Sequence, residues 1–149
     1  MIESVLVVCT GNICRSPMTE GLFKDLSSDL KVMSAGLAAL MGFAPDPIAV
    51  ELMKSRGIDI TDHRARQLES WMCKDFDLIL VMESEQKRLL ERQFLFARGK
   101  VFLLRESNGL DVPDPYLKGR EAFELALRAV EIGVDSWLSK LKRVADVWQ

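Results

Sequence analysis

A cysteine and an arginine six positions apart bracket one short stretch, Cys9-Thr10-Gly11-Asn12-Ile13-Cys14-Arg15, and Ser16-Pro17 follows at once. If that stretch joins a strand to a helix, successive backbone N–H groups can turn inward and form an anion-binding nest closed by the helix N-terminus. Gly11 and Asn12 are the residues that best tolerate the left-handed backbone angles such a nest requires. Arg15 adds a planar, always-charged fork able to hold two oxyanion oxygens at once. The same positive field favours thiolate over thiol for a cysteine lying in it. Residues Thr10, Gly11, Asn12, Ile13, Cys14 and Arg15 are therefore the candidate phosphate cradle, and Cys9 is the candidate nucleophile beneath it. Ser16 is placed to donate a hydrogen bond to the thiolate and ease its departure from phosphorus.

Displacing an oxygen leaving group from phosphorus also needs a proton donor. The segment Asp111-Val112-Pro113-Asp114-Pro115-Tyr116 supplies one. Pro113 and Pro115 stiffen the chain on both sides of Asp114, which makes it the candidate general acid. Tyr116, the only tyrosine, can pack against a substrate ring or anchor the loop. Asp46 sits in a similar Pro45-Asp46-Pro47 string, where capping the following helix is the simpler role.

The elements that must hold these residues are legible as alternating runs. Apolar stretches at Ser4 to Cys9, Lys31 to Ser34, Asp77 to Met82 and Lys100 to Leu104 read as strands, most of them continuous enough for a parallel sheet covered on both faces. Met18, Leu22, Phe23 and Leu26 share a helical face, with Ser16-Pro17 suited to a helix start. Ile48, Leu52 and Met53 mark a second helix stopped by Gly57, and Leu89, Leu90 and Phe94 mark another. At the C-terminal end, Phe123, Leu127, Val130, Val134, Trp137, Leu141, Val144 and Trp148 alternate spacings of four and three. That stripe fits a coiled-coil seam, but the bulk of Trp137 and Trp148 better suits a long amphipathic helix lying on a sheet. Strands alternating with helices predict an α/β fold: a three-layer, four-stranded parallel doubly wound sheet with helices on both faces. Ligands of such sheets lie beyond the C-terminal strand ends, where the first strand delivers Cys9.

Composition narrows the function classes. The chain has 149 residues, 48% hydrophobic and 28% charged, the balance of one globular domain, and no linker or repeat divides residues 1–149. Twenty Lys and Arg against 22 Asp and Glu give a net charge of -2, so no basic footprint for nucleic acid or membrane surface is present. No apolar run reaches the roughly 20 residues of a membrane span, and Met1 to Ser4 lacks a positively charged leader, which points to the cytoplasm. Cys9, Cys14 and Cys73 show no C-x-x-C pairing, and His63 is the only histidine, so neither a disulfide framework, a zinc site nor a metal cofactor is expected. His63, in His63-Arg64-Ala65-Arg66, reads as a solvated surface group. Neither a Walker loop nor a dinucleotide fingerprint follows the first strand.

Together, Val8 to Pro17, Ser34-Ala35-Gly36 and Asp114-Pro115-Tyr116 resemble the low-molecular-weight protein tyrosine phosphatases over nearly the whole chain. The resemblance implies a nucleophile at Cys9, phosphate binding by Arg15, an acid at Asp114, loop fixation by Asn12 and thiolate support from Ser16, with no cofactor. It also implies that Cys14 can form a reversible disulfide with Cys9 and guard it against overoxidation. The string Ser34 to Gly42 is similar to the bacterial exopolysaccharide branch, with Leu40 and Tyr116 as the substrate wall and only Phe43 as an aromatic nearby. Members of that branch act on tyrosine autokinases of capsule or exopolysaccharide export, which would make such a kinase the partner. Two rivals share the scaffold. A thioredoxin-coupled arsenate reductase needs two further cysteines beyond the loop, and only Cys73 is available. A module that binds phosphotyrosine without cleaving it needs neither Cys9 nor Asp114.

Overall fold

The computed structural model describes the backbone of residues 1–147 and side chains through residue 143. Four strands, β1 (Ser4–Cys9), β2 (Lys31–Gly36), β3 (Leu78–Val81) and β4 (Val101–Leu103), form one sheet in the order β2-β1-β3-β4. All three pairings are parallel. The helices are α1 (Arg15–Leu26), α2 (Pro47–Lys54), α3 (Ser70–Asp75), α4 (Ser84–Gln93) and α5 (Arg120–Val147).

Alternation along β1 divides the core. Val5 and Val7 lie among Met18, Leu22 and Phe23 of α1, Leu52 and Met53 of α2, and Phe123, Leu127, Val130 and Val134 of α5. Leu6 and Val8 lie with Met72 and Cys73 of α3 and Leu90 of α4 on the other face. Both faces of the sheet are covered, so its strands can be apolar throughout, as a parallel sheet requires. This is the three-layer α/β architecture the sequence predicts. Among the described residues no helix is long and apolar enough to cross a membrane.

The departures are local. β2 runs two residues past the expected Ser34, because Ala35 and Gly36 still pair with Val8 and Cys9. The six-residue α3 is too short to show a helical period and was not expected from the sequence. Leu26 at the end of α1 and Leu89 of α4 are exposed rather than part of the buried stripes. The α5 stripe does lie on the sheet: Phe123, Leu127, Val130, Val134 and Trp137 are buried, and Trp137 Nε1 donates to the Leu103 carbonyl at 3.1 Å. Trp148 and the side chain of Val144 fall outside the described residues. Gly57, with φ +75°, closes the C-terminal end of α2 as Ile58 N donates to the Met53 carbonyl at 3.0 Å.

Candidate active site

The winding of the sheet reverses at β1, which has β2 on one side and β3 on the other. Cys9 is its last residue and α1 begins at Arg15, so the loop between them occupies the crevice where doubly wound sheets bind ligands. One cavity there is lined by Cys9 to Arg15, by Ala38 and Leu40 from the segment after β2, and by Asp114 and Tyr116.

The loop is a cup because its carbonyls are all spoken for on the outside. The carbonyls of Cys9, Thr10, Gly11 and Ile13 accept from Leu37 N (2.9 Å), Ala38 N (3.0 Å), Leu40 N (3.1 Å) and Asp46 N (2.9 Å). The fifth, that of Asn12, faces His63 Nε2 at 2.7 Å. The N–H groups of Gly11, Ile13, Cys14 and Arg15 have no acceptor among the described residues. Carbonyls pinned outward leave amides free inward, which is the polarity an oxyanion needs.

Asn12 sets the bend. Its φ is +61°, and its buried side chain is fully engaged: Nδ2 donates to Ser16 Oγ (2.8 Å) and Ser34 Oγ (3.0 Å), while Oδ1 accepts from Arg66 N (2.9 Å). Its N–H lies 3.3 Å from Cys9 Sγ. Because Ser16 Oγ accepts from Asn12, its proton is free for Cys9 Sγ, 2.9 Å away. Gly11 departs from expectation. It keeps a negative φ, so only Asn12 supplies the left-handed residue.

Arg15 is almost wholly buried, and Nη1 is committed to Glu83 Oε2 (2.5 Å) and the Val112 carbonyl (2.9 Å). Among the described residues Nε and Nη2 carry no hydrogen bond, which leaves one edge of the fork for a ligand. Nη2 stands 3.8 Å from Asp114 Oδ2. Asp114 is 46% exposed, and its other oxygen accepts from Tyr116 N at 3.1 Å, fixing the carboxyl by a short local turn.

Cys14, also expected in the cradle, contributes its backbone. Burial, then the negative charges of Asp46, Cys9 and Asp114, push its thiol above the ordinary range despite Arg15. Burial raises the Cys73 thiol to about 11, with Lys100 opposing. All three cysteines are free thiols. Among the described residues no group of three or more His, Cys, Asp or Glu side chains is placed to hold a metal ion.

His63 is not a solvated surface group. Its side chain is tucked behind the cup, where Nε2 must carry the proton to satisfy the Asn12 carbonyl, and Nδ1 lies 3.8 Å from Glu20 Oε1. Burial lowers its proton affinity, opposed by the Asn12 carbonyl and Glu20. Glu20 in turn accepts from Ser34 Oγ at 2.5 Å. Asp46 does cap α2, accepting from Ile48 N at 2.9 Å.

Sequence reading also missed Glu83 and Gln86. Gln86 is buried; its Oε1 accepts from Met82 N (2.9 Å) and Glu83 N (3.0 Å), and its Nε2 donates to Thr10 Oγ1 at 3.0 Å. The Glu83-to-Gln86 spacing is that of a helix-start box, a signal that was available but says nothing of Arg15.

The chain is similar to known proteins over nearly its whole length. The family model described as low molecular weight phosphotyrosine protein phosphatase matches residues 4–146. The low molecular weight protein-tyrosine-phosphatase Wzb of Escherichia coli K12 is 41% identical over 145 residues, covering 95% of this chain and 97% of that protein. The crystal structure of the Erwinia amylovora tyrosine phosphatase AmsI superposes with a TM-score of 0.90 at 41% identity, covering 94% of this chain and 93% of that one. The tyrosine phosphatase Wzb from Escherichia coli K30, solved in complex with sulphate, superposes with a TM-score of 0.91 at 36% identity, covering 95% and 99%.

Proposed function

The chain belongs to the low molecular weight phosphotyrosine protein phosphatases, and from that premise we propose that it hydrolyses phosphotyrosine through a cysteinyl-phosphate formed on Cys9. The Cys9 thiolate attacks phosphorus in line while the free loop amides and the open edge of Arg15 hold the equatorial oxygens. Asp114 protonates the departing phenolate oxygen, then takes a proton from the water that releases inorganic phosphate. Ser16, donating to the sulfur, stabilises the thiolate as it leaves. Leu40 and Tyr116 form the walls along which the substrate ring enters. The reading assigns residues 1–149 to one phosphatase domain.

The observation that carries this reading is the polarity of the cup: five consecutive carbonyls bonded outward around a sulfur that already holds a hydroxyl partner at 2.9 Å. Cys73, the only cysteine beyond the loop, is buried on the sheet's other face, which offers a reductase no outward disulfide relay. The substrate we infer is a bacterial tyrosine autokinase of capsule or exopolysaccharide export, dephosphorylated in the cytoplasm. Similarity to Wzb and AmsI and the Ser34 to Gly42 string support that choice. The test is turnover of an aryl phosphate. Cys9→Ser abolishes it, Asp114→Ala slows it roughly 10²- to 10⁴-fold, and phosphotyrosine peptides are cleaved in preference to phosphoserine ones. Normal turnover by the Cys9 variant would end the assignment.

A further inference from the structure

The face of α5 turned away from the sheet carries an ordered stripe. From Glu121 to Lys142 the exposed positions of the helix advance by alternating steps of four and three, the period of a helix-pairing seam. Two kinds of residue take turns along it. Leu125 and Ile132 stand seven apart and are 52% and 51% exposed, with Ser139 next at the same interval. Between them run Glu121, Arg128, Asp135 and Lys142, also seven apart and alternating in sign.

These charges are not arranged to satisfy one another within one helix. Seven residues of helix rise about 10 Å, too far for an ion pair between successive members of the stripe. Among the described residues Glu121, Arg128 and Asp135 form no ion pair, whereas charges beside the stripe do. Arg120 meets Glu51 at 3.0 Å and Glu124 at 3.4 Å, and Glu131 meets Arg56 at 3.0 Å. The pattern does match its own reverse. If an identical helix is laid antiparallel across this one with Ile132 at the centre, Arg128 faces Asp135 of the second copy and Glu121 faces its Lys142. Ile132 then meets Ile132, and Leu125 covers Ser139. A parallel pairing sets every charge against its own kind, which costs rather than gains.

We propose that the outer face of α5 is the docking surface for a second copy of this chain, joined as an antiparallel two-fold pair centred on Ile132. Each contact then occurs twice, as a self-complementary patch requires. The seam is about 30 Å long with few apolar layers, so the pair is of the weak, reversible class. It leaves both pockets open. The first turn of α5 follows the loop carrying Asp114 and Tyr116, while Leu138, Leu141 and Lys142 lie beside Met1, Ile2 and Glu3 at the opposite end of the sheet. Antiparallel pairing therefore points the two pockets in opposite directions. The proposal stands apart from the phosphatase reading, since none of its residues lines the cavity at Cys9.

The test is sedimentation velocity of the intact protein at low salt, over about a hundredfold range of concentration, where mass action moves a weak dimer from mostly apart to mostly paired. The sedimentation coefficient of the parent rises across that range. Arg128→Glu sets two acids against each other and Asp135→Arg sets two cations, and each weakens association about tenfold or more. An equimolar mixture of these two variants associates again, because each supplies the charge the other lacks. Ile132→Asp, which puts like charges on the axis, abolishes pairing. Thermal midpoints equal to the parent's show that the variants are folded, and turnover of p-nitrophenyl phosphate reports separately on the pocket.

A parent protein that sediments as a monomer at every concentration overturns the proposal. So do single charge reversals that leave association unchanged, which would put the contact elsewhere on the molecule. A mixture of the two folded variants that stays monomeric overturns the antiparallel register, and with it the proposal.

Discussion

Arg15 Nη1 and Glu83 Oε2 stand 2.5 Å apart, so the guanidinium that faces the pocket is held from behind by the residue preceding α4. Glu83 is about one-third exposed, whereas Arg15 is 2% exposed, so the pair is worth less than a fully buried one. Its main effect is orientation. With Nη1 tied to Glu83 and the Val112 carbonyl, the fork presents Nε and Nη2 in one fixed plane.

Glu83→Ala removes one of those two ties and leaves the buried cation with the Val112 carbonyl and, at 3.8 Å, the Asp114 carboxylate. Inorganic phosphate should then inhibit about tenfold less well and KM for an aryl phosphate should rise similarly, with stability falling by about 1–3 kcal/mol. Glu83→Gln keeps an acceptor oxygen and should recover most of the phosphate affinity. Phosphate inhibition constants and thermal midpoints of both variants check this, and unchanged inhibition in the alanine variant would remove Glu83 from the account.

Asn12 combines two effects that substitution can separate. Asn12→Gly keeps the positive φ but loses the links to Ser16, Ser34 and Arg66, whereas Asn12→Ala loses them and also forces a Cβ residue into a left-handed conformation. Both should lose most activity, because Ser16 is no longer oriented on Cys9. The alanine variant should be the less stable of the two by about 1 kcal/mol, the backbone contribution alone. Denaturant midpoints measure that gap, and its absence would mean the loop relaxes out of the left-handed region.

The contrast between what the sequence disclosed and what it hid follows from locality. The strand-loop-helix segment from Ser4 to Arg15 is contiguous, and its apolar run, small loop residues and arginine are legible together. The four-strand sheet followed because each strand is a short apolar run between helical periods. Glu83, Gln86, Ser34 and His63 reach the cup from other segments, with separations of 68 residues for Arg15 to Glu83 and 51 for Asn12 to His63. Nothing local distinguishes a histidine that faces a loop carbonyl from one in solvent. Exposure of Leu89 and Leu26 was hidden for the same reason, since periodicity places a residue on a face but does not say where the covering element ends.

His63 gives the stability a pH dependence of definite sign. Burial depresses its proton affinity in the folded protein, so the unfolded chain binds the proton more tightly. Stability from this group is then complete above the unfolded value of about 6.5 and is lost as pH falls through it toward the lower folded value. The slope for one proton is at most about 1.4 kcal/mol per pH unit. Thermal midpoints from pH 7.5 down to 5.5 should fall for the parent protein and fall less for His63→Gln, whose amide can still donate to the Asn12 carbonyl. Parallel curves would show that His63 takes up its proton without cost in the fold.

Two glycines on either side of the cup make opposite predictions about what shapes it. A Cβ at Gly36 would lie 2.6 Å from the Thr10 carbonyl oxygen and 3.0 Å from Ala39 Cβ, so β2 can approach the loop only without a side chain there. Both obstacles are backbone or tied directly to it, and the Thr10 carbonyl is itself pinned by Ala38 N. Gly36→Ala must therefore push the loop away from β2, costing about 1–3 kcal/mol and turning carbonyls that now face outward. Phosphate affinity and stability should fall together. At Gly11 the nearest atoms a Cβ would meet are Ile13 Cγ1 at 3.8 Å and Leu40 at 3.9 Å, ordinary contacts, and the backbone φ is negative. Gly11→Ala should leave the thermal midpoint within a degree or two of the parent and alter KM alone, by adding a methyl beside Leu40 at the pocket wall. If the two variants were equally stable, the close approach of β2 would not be what holds the loop in shape.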